Sequence, residues 1–475
     1  MTEGARKAGS AGLPGGETIP ISPAAPAGAD PVGMVERYLR PGTLQLGALP
    51  PLALYVHLPW CLKKCPYCDF NSHQWAPKTP SASPLQGAPA RSFGPSPGAG
   101  SPHGLPKSGL SPQGGGSGLG RPGAGPADEL PEQRYLDALR ADLDAALPLV
   151  WGRRVSSIFI GGGTPSLFSP AAIDTLLADI RARLPLEPGI EITLEANPGT
   201  FERDRFRGYR AAGVTRLSIG VQSFDDDKLR ALGRVHDGAQ ARAAVEEARS
   251  AFETWNLDLM YALPGQTLAE LHADLDTALA FEPPHLSIYQ LTLEPNTFFA
   301  RHPPPLPDDD AAADMQDALV ERAAAAGLER YEVSAFARTG HRCRHNLNYW
   351  RFGDYLGIGA GAHSKLSYPH RVVRQVRWRE PLAYVAQALA GRAVSNDEEV
   401  ARKALPFEFM LNALRLREGF ELSLFTERTG LPLSAIEAAL TQAAARGLIE
   451  RDLERVRPTV RGFDFLNDVQ SLFLP

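Results

Sequence analysis

The stretch YVHLPWCLKKCPYCDFN, residues 55–71, contains three of the four cysteines in a chain of 475 residues. Cys61, Cys65 and Cys68 follow a C-x3-C-x2-C spacing directly after the apolar run LALYVHLP, which is typical of a buried strand. Pro66 has no backbone donor and disfavours a helical conformation at Cys65, so the spacing predicts a loop. Such a loop can wrap three thiolates around one metal centre.

The number of cysteines in this loop indicates the kind of centre. Thiolates are soft ligands that select zinc, copper or iron–sulfur clusters. Structural zinc sites and electron-transfer clusters both take four protein ligands, so three cysteines on a cluster of four irons leave one iron open to an exchangeable ligand. The alternatives are three thiols that are close only by chance, or a zinc ion completed by His57 or His73. The spacing and the position after a strand favour the cluster.

Six apolar, β-branched runs alternate with amphipathic stretches along the chain. They predict strands at 52–59, 155–163, 190–198, 215–223, 255–265 and 285–295. Six successive βα units predict an α/β fold with a parallel sheet, either doubly wound or closed into a full or partial (β/α) barrel. Polar or Gly-rich groups follow most of these strands. This favours the barrel, because the carboxyl ends of barrel strands meet at one mouth where ligands bind.

Composition divides the chain into segments. Residues 1–45 are predicted to be a disordered N-terminal segment, followed by the barrel core at 46–305. The core is interrupted by a low-complexity Gly/Pro/Ser insertion at 76–127. An extension at 306–400 carries the motif HNLNYW, and the helical pattern at 401–475, followed by short strand-like pieces, predicts a winged-helix-like domain. The formal net charge of −5 argues against nucleic-acid binding, so a packing or partner-docking role is preferred for this domain.

Charge and cysteine usage also bear on location. The chain has no polybasic patch and no apolar run near the ~20 residues that a membrane span needs. Its first residues lack the apolar core of a signal peptide, and four cysteines in so long a chain do not suggest a disulfide scaffold. We therefore expect a cytoplasmic protein.

A chain of motifs resembles one known superfamily. These motifs are LYVHLPWC, CPYCDF, FIGGGTPS, EANPG, SIGVQSF, LDLMYALPGQT, YQLTLEPNT and HNLNYWRFGDYLGIGAGAHS. They resemble the radical S-adenosylmethionine (SAM) enzymes, and within them the branch of oxygen-independent coproporphyrinogen III oxidases and HemW-type haem chaperones. The resemblance covers residues 50–470 apart from 76–127. It implies a partial (β/α)6 radical SAM barrel with a mainly helical, winged-helix-like C-terminal domain, and a 4Fe–4S cluster whose open iron chelates SAM.

The resemblance implies a set of site residues. The implied metal ligands are Cys61, Cys65 and Cys68. The implied cofactor-binding residues are Tyr55, Tyr67, Gly162, Gly163, Thr164, Glu195, Gln222, Arg234, Asp258 and Thr292. Among them the glycine turn lets the backbone approach SAM, Glu195 holds the ribose or amine of SAM, and the two tyrosines pack against it. The others line the cavity beside SAM.

Two departures from the oxidases separate the branches of this family. The oxidases carry a further cysteine two positions after the third cluster ligand, where this chain has Phe70. The motif HNLNYW matches the His-Asn-x-x-Tyr-Trp motif of the chaperone branch, which is implicated in holding haem. The implied haem-binding residues are His345, as axial ligand, and Asn346, Tyr349 and Trp350. His363 is an alternative imidazole. Cys343 is a further alternative haem ligand, although it is predicted to be a small buried residue.

Two functions follow from the resemblance. The first is a haem chaperone that binds cluster, SAM and haem and passes haem to an acceptor haemoprotein, such as a respiratory one, with an electron donor for the cluster. The second is an oxygen-independent coproporphyrinogen III oxidase that makes protoporphyrinogen IX. Phe70 and HNLNYW favour the first. A third alternative is a barrel whose cluster is only structural. We expect no nucleic-acid partner, and membrane association only through the acceptor.

Overall fold

The computed structural model describes residues 31–75, 130–199 and 205–475. The predicted insertion at 76–127 and the first 30 residues of the predicted disordered segment lie outside these ranges. The described end of that segment includes a helix, Pro31–Leu39. Its Tyr38 is buried and packs against Tyr368 with ring centroids 4.9 Å apart. The composition of residues 1–45 did not predict this helix, which is stabilised by burial of the Tyr38 ring against a distant strand.

Seventeen strands and sixteen α-helices occur within the described residues. The strands are β1 (Leu52–Leu58), β2 (Trp60–Cys61), β3 (His73–Gln74), β4 (Val155–Gly162), β5 (Leu186–Ala196), β6 (Arg216–Gln222), β7 (Thr254–Tyr261), β8 (His285–Gln290), β9 (Glu329–Arg330), β10 (Ala335–Ala337), β11 (Asp354–Ile358), β12 (His363–Tyr368), β13 (Arg371–Arg377), β14 (Val394–Glu399), β15 (Phe420–Glu421), β16 (Ile449–Arg451) and β17 (Arg455–Pro458). The helices are α1 (Pro31–Leu39), α2 (Glu132–Ala146), α3 (Pro170–Arg183), α4 (Phe206–Ala212), α5 (Asp226–Ala231), α6 (Gly238–Ala251), α7 (Leu268–Ala280), α8 (Phe298–Arg301), α9 (Asp309–Ala325), α10 (Arg344–Trp350), α11 (Pro381–Leu389), α12 (Leu405–Ala413), α13 (Leu422–Thr429), α14 (Glu437–Ala445), α15 (Val460–Asp464) and α16 (Leu466–Ser471). None of these helices is long and apolar enough to cross a membrane.

A single sheet of 12 strands organises the fold, in the order β14-β13-β12-β11-β1-β4-β5-β6-β7-β8-β10-β9. The six strands β1 and β4 to β8 are mutually parallel and follow one another in chain order. Strand β11 adds in parallel beside β1, while β10 adds antiparallel beside β8. Because β1 and β8 pair with these flanking strands and not with each other, the predicted α/β partial (β/α)6 barrel is confirmed, with extensions at both edges.

The six parallel strands form where the apolar runs predicted them, because their side chains are buried against covering helices. In β1 and β4, Leu54, Val56, Ile158 and Ile160 are fully buried. Helix α3 buries an apolar stripe that includes Ile173. Ser169 caps the amino end of this helix, because its side chain accepts a hydrogen bond from the backbone N–H of Ala172. Buried strands between amphipathic helices leave the strand ends as the place for polar side chains.

The C-terminal region is mainly helical, as predicted. Helices α12, α13 and α14 are followed by the β16–β17 hairpin, and β15 joins that hairpin in a three-stranded antiparallel sheet. Phe409 lies at the centre of this region, edge-on to Phe420 at 5.0 Å and to Phe425 at 5.3 Å. Three helices followed by a hairpin agree with the mainly helical C-terminal domain that the sequence predicts.

Candidate functional site

The carboxyl ends of the parallel strands enclose a cavity of about 470 Å³, which we call the cysteine cavity. Its walls include Cys61, Cys65, Cys68, Tyr67, Gly162, Gly163, Thr164, Glu195, Gln222, Arg234, Asp258 and Thr292. The structure therefore brings together the three cysteines and all the predicted cofactor-binding residues except Tyr55. They meet because β4, β5, β6 and β7 run side by side in the same direction.

Polar groups approach all three sulfur atoms. Arg234 Nη1 lies 3.7 Å from Cys65 Sγ, and Ser72 Oγ lies 3.5 Å from Cys68 Sγ. Burial raises the pKa of Cys61, while a hydrogen bond from the Thr164 hydroxyl opposes that rise. Polar groups beside sulfur suit the thiolate, which is the form of cysteine that binds metal. Ser72 gave no signal in the sequence.

The two histidines that could complete a zinc site have other partners. The His57 ring lies 3.0 Å from the Tyr55 hydroxyl through Nδ1 and 2.9 Å from the Asn71 carbonyl oxygen through Nε2. His73 Nε2 lies 3.3 Å from Asn71 Oδ1. Within the described ranges, no three or more His, Cys, Asp or Glu side chains are grouped to hold a single metal ion. The three cysteines line one cavity, and three thiolates are a donor set that a 4Fe–4S cluster can take.

Arg234 connects the cysteine loop with the strand ends. Its Nη2 donates to Asn197 Oδ1 and to the Gly220 carbonyl oxygen, both at 2.7 Å. Asn197 in turn donates to the Thr164 hydroxyl at 3.0 Å. Asn197 belongs to the EANPG motif, but sequence analysis assigned it no role. Its position directly after a strand was the signal that could have found it.

The glycine turn after β4 packs against the chain's own first strand. Gly163 donates its N–H to the Leu58 carbonyl oxygen at 2.8 Å, and Thr164 donates to that of Trp60 at 2.7 Å. A Cβ on Gly163 would lie 2.6 Å from the same Trp60 oxygen. The close approach that requires glycine here is thus with the start of the cysteine loop, so the turn positions that loop.

Gly163→Ala is expected to displace the cysteine loop. The added methyl has no room beside Trp60, and overpacking of this kind costs about 1–3 kcal/mol. We expect a lower melting temperature and reduced iron and sulfide content after anaerobic reconstitution. Gly47→Ala is the matched control, because nothing lies within 4 Å of the added Cβ. Equal cluster content in the two variants would contradict the positioning role of the turn.

Glu195 and Asp258 form an acidic pair in the cysteine cavity. Burial and the nearby charge of Asp258 raise the pKa of Glu195 to about 8, although Glu195 accepts the Gly162 N–H at 3.1 Å. Burial also raises the pKa of Asp258, against hydrogen bonds from Asn256 at 2.8 Å and Ser218 at 3.1 Å. Two acids with raised pKa values favour a cationic ligand, which would pair with them and lower both pKa values.

The remaining cavity residues, Gln222, Tyr67 and Thr292, differ in backbone conformation, packing and exposure. Gln222 ends β6 at a bulge with φ 69°, a strained left-handed backbone in a residue that is not glycine. Tyr67 packs against Phe299 with ring centroids 6.4 Å apart. Thr292 is exposed and donates to Glu294 at 2.8 Å.

Helix α10 carries HNLNYW and packs against β4 and β5. Glu191 in β5 accepts the N–H of Arg344 at 2.8 Å, and Ser157 in β4 lies 3.1 Å from His345 Nδ1. His345 is 2% exposed, and its Nε2 has no hydrogen-bond partner among the described residues. Burial lowers the pKa of His345 to about 3, so the ring is neutral.

The other motif residues lie around this helix in different environments. Asn346 and the buried Cys343 line the deep end of the cysteine cavity. Trp350 packs against Arg415, whose guanidinium carbon lies 4.3 Å from the ring centroid. The Tyr349 ring centroid lies 5.1 Å from that of His345.

A second cavity of about 370 Å³ contains Tyr55 and Tyr349, and we call it the Tyr349 cavity. It shares Asp69, Phe70, Gly162 and Glu195 with the cysteine cavity. The residues that line only this cavity are Tyr55, His57, Asn71, Tyr349, Tyr355, Gly361, His363 and Arg379. Tyr55, predicted to pack against SAM, thus lies beside the motif tyrosine and not on the cysteine cavity.

A partial (β/α)6 barrel with three cysteines in the loop after its first strand defines the radical SAM class. The profile of the Radical SAM superfamily matches residues 55–278, and that of the HemN C-terminal domain matches residues 400–465. This class carries a 4Fe–4S cluster and SAM, which the donors and the cavity described above fit. In the solved structures, coproporphyrinogen III oxidase (HemN) from Escherichia coli shares the fold, with a TM-score of 0.68 at 22% identity over 93% of each chain.

Curated relatives identify the family within that class. Heme chaperone HemW from Haemophilus influenzae is 43% identical over 90% of this chain and 98% of its own length. The Escherichia coli protein of the same name is 43% identical over 90% and 99%. The Mycobacterium tuberculosis protein is 34% identical over 87% and 92%. The chain belongs to the HemW family.

Proposed function

We propose that this chain binds haem and delivers it to an acceptor haemoprotein. The observation that carries the proposal is 43% identity, over nearly the whole length of both chains, to proteins named heme chaperone HemW. Coproporphyrinogen oxidation is the weaker alternative, because Phe70 stands where the resembling oxidases have their further cysteine and has no thiol to offer.

The HNLNYW segment is the proposed contribution of this chain to haem binding. It consists of His345, Asn346, Tyr349 and Trp350, with His345 as the first candidate for the axial ligand. In support, His345 is neutral and its Nε2 lacks a partner among the described residues, as a nitrogen that awaits a ligand would. Tyr349 and Trp350 supply aromatic surface for a porphyrin.

Cys61, Cys65 and Cys68 are the proposed ligands of the cluster, and SAM is proposed to occupy the cysteine cavity. When bound, cluster and SAM supply one-electron chemistry. Arg234 holds the cysteine loop against the strand ends, and Glu195 offers a carboxylate to the ribose or amine of SAM. The proposed partners are a haemoprotein acceptor, such as a respiratory one, and an electron donor for the cluster.

The function is tested by haem binding and transfer with the full chain after anaerobic cluster reconstitution. We expect saturable binding of one haem per chain, followed by transfer to an apo-haemoprotein such as apomyoglobin, measured by absorption in the Soret region. With coproporphyrinogen III, SAM and a reductant we expect no protoporphyrinogen IX. Turnover of coproporphyrinogen without saturable haem binding would contradict the proposal in favour of the oxidase.

Tyr349→Ala is expected to weaken haem binding by roughly tenfold, since loss of an aromatic anchor typically costs more than 1 kcal/mol. The ring connects the HNLNYW helix with the Tyr349 cavity, so its loss removes aromatic surface from the proposed haem site. Trp151→Ala removes another aromatic residue, 84% exposed and outside both cavities, and is the control. Unchanged haem affinity in Tyr349→Ala would argue against a haem site at this segment.

A further inference from the structure

The Tyr349 cavity contains an imidazole and a guanidinium without local partners. His363, the first residue of β12, and Arg379 are both exposed, and neither side chain forms a hydrogen bond or an ion pair within the described residues. The geometry points to this cavity as the seat of haem, with His363 as the axial ligand of the iron and Arg379 as the partner of a propionate. This inference rests on the proposed haem-binding function and puts His363 in the place of His345 as the axial ligand.

The two candidate imidazoles differ in access. His345 is 2% exposed, with its ring centroid 5.0 Å from that of Phe159 and 5.1 Å from that of Tyr349. Among the described residues, His345 Nε2 has no hydrogen bond to break, but iron could reach it only by displacing the packed rings that bury it. Ligation by His363 requires no such rearrangement. His345 is therefore a positioning residue, which supports the ring of Tyr349 from behind.

Aromatic side chains in the cavity suit a porphyrin. Tyr349 and Tyr355 pack with ring centroids 4.3 Å apart, and Phe70 is 64% exposed on the cysteine loop. An exposed aromatic ring next to a cavity gains free energy when a flat apolar ligand covers it. Phe70 also lines the cysteine cavity, so the seat adjoins the proposed cluster. The side chain that replaces the oxidases' cysteine thus acquires a role of its own.

The charges around His363 suit its proposed role. Partial burial and the charges of Arg374, Arg379 and Arg377 lower the pKa of His363, so its ring is neutral and offers a lone pair to iron. The Arg379 guanidinium can bind a carboxylate through two parallel hydrogen bonds. Asp69 and Glu195 are the carboxylates at the edge of the cavity, on the side shared with the cysteine cavity.

The walls of the cavity are held in place before any ligand binds. The Asn71 side chain donates to the carbonyl oxygens of Ala360 at 2.9 Å and Arg379 at 2.8 Å. A Cβ on Gly361 would lie 2.4 Å from Asn71 Nδ2, so glycine is required there. The cysteine loop is thereby fixed to the segments that carry His363 and Arg379. A preformed site lowers the entropic cost of binding.

The test is a ferric haem titration of the full chain with its cluster reconstituted, followed by Soret difference spectra and by the EPR of histidine-ligated ferric haem. We expect His363→Gly to bind haem roughly tenfold more weakly and to lose the histidine-ligated signal. Added imidazole should restore that signal, which a merely structural defect would not allow. His302→Gly, an exposed histidine outside both cavities, is the control.

A second variant tests the propionate contact. Arg379→Gln is expected to lower haem affinity severalfold, about the cost of one surface charge pair at a binding site. Haem dimethyl ester, which has no carboxylates, should bind the variant and the unchanged chain equally. Equal loss with both ligands would mean that Arg379 does not bind a propionate.

The outcomes separate this inference from the proposed function. If His363→Gly keeps the histidine-ligated spectrum while His345→Ala loses it, the inference is overturned and the haem-binding function stands. If the unchanged chain shows no saturable haem binding, the proposed function itself fails. Loss of the signal in His363→Gly, its return with imidazole and its persistence in His345→Ala together support His363 as the ligand.

Discussion

Cys65→Ala is expected to abolish the 4Fe–4S cluster, and the same change at Cys61 or Cys68 should do likewise. Three thiolates on four irons leave no spare ligand, so the loss of one leaves two irons without protein ligands. The measurement is iron and sulfide content after anaerobic reconstitution, together with the EPR spectrum of the reduced protein. In the unchanged chain, adding SAM should alter that spectrum, because the open iron binds it. An unaltered spectrum would favour a purely structural cluster.

The fourth cysteine provides the matched control for this experiment. Cys343 is 3% exposed, and its thiol lies 3.7 Å from Glu191 Oε1. Burial, with the Glu191 charge as the next cause, raises the pKa of Cys343 to about 12, so it remains a thiol and a poor metal ligand. Cys343→Ala should therefore keep its full cluster. A loss of iron in this variant equal to that in Cys65→Ala would mean that three ligands are not enough.

The parallel core was predictable from sequence because its signals are local. Each strand is an apolar run, and polar residues such as Glu195 and Gln222 close those runs at one end. Parallel pairing in chain order then brings them to one cavity without further information. The same logic explains why the cysteine loop, which follows the first strand, lies on that cavity.

The extensions of the sheet and the second cavity depended on long-range packing. Nothing in the pattern of residues 354–358 indicates that they pair in parallel with β1. The burial of His345 depends on Ser157 and Phe159, which come from a distant strand. A motif can thus show that a histidine matters to a family without showing whether its ring is accessible. Access is decided by tertiary contacts that single sequences do not record.

Glu195→Gln is expected to stabilise the ligand-free protein and to weaken SAM binding. Burial first, and then the charge of Asp258, raises the pKa of Glu195 from 4.5 to about 8. The folded state therefore keeps a proton that the unfolded state releases above pH 4.5. The free energy of unfolding falls as pH rises from about 4.5 to about 8, and it changes no further from this cause at higher pH. Glutamine carries no charge, so the variant escapes this loss.

Each pKa unit corresponds to about 1.4 kcal/mol, so the gain in the variant should reach several kcal/mol at pH 9 and fall to about 1 kcal/mol at pH 5. Melting temperatures of the ligand-free chain at these two pH values measure it. Glu187→Gln removes the same charge from an exposed position on the same strand and should change little at either pH. A gain in Glu195→Gln that did not depend on pH would point to packing as its cause.

The loss of SAM affinity in Glu195→Gln should be roughly tenfold, since a charge-assisted hydrogen bond to SAM becomes a neutral one. Titration of the reconstituted protein with SAM, followed by EPR, measures it. A side chain that lowers the stability of the ligand-free protein but strengthens ligand binding has a functional and not a structural role. If Glu195→Gln bound SAM as tightly as the unchanged chain, the Glu195 carboxylate would not contribute to SAM binding. The acidic pair would then bind a different cation. Asp258→Asn, measured in the same way, would then show whether the second acid alone serves the site.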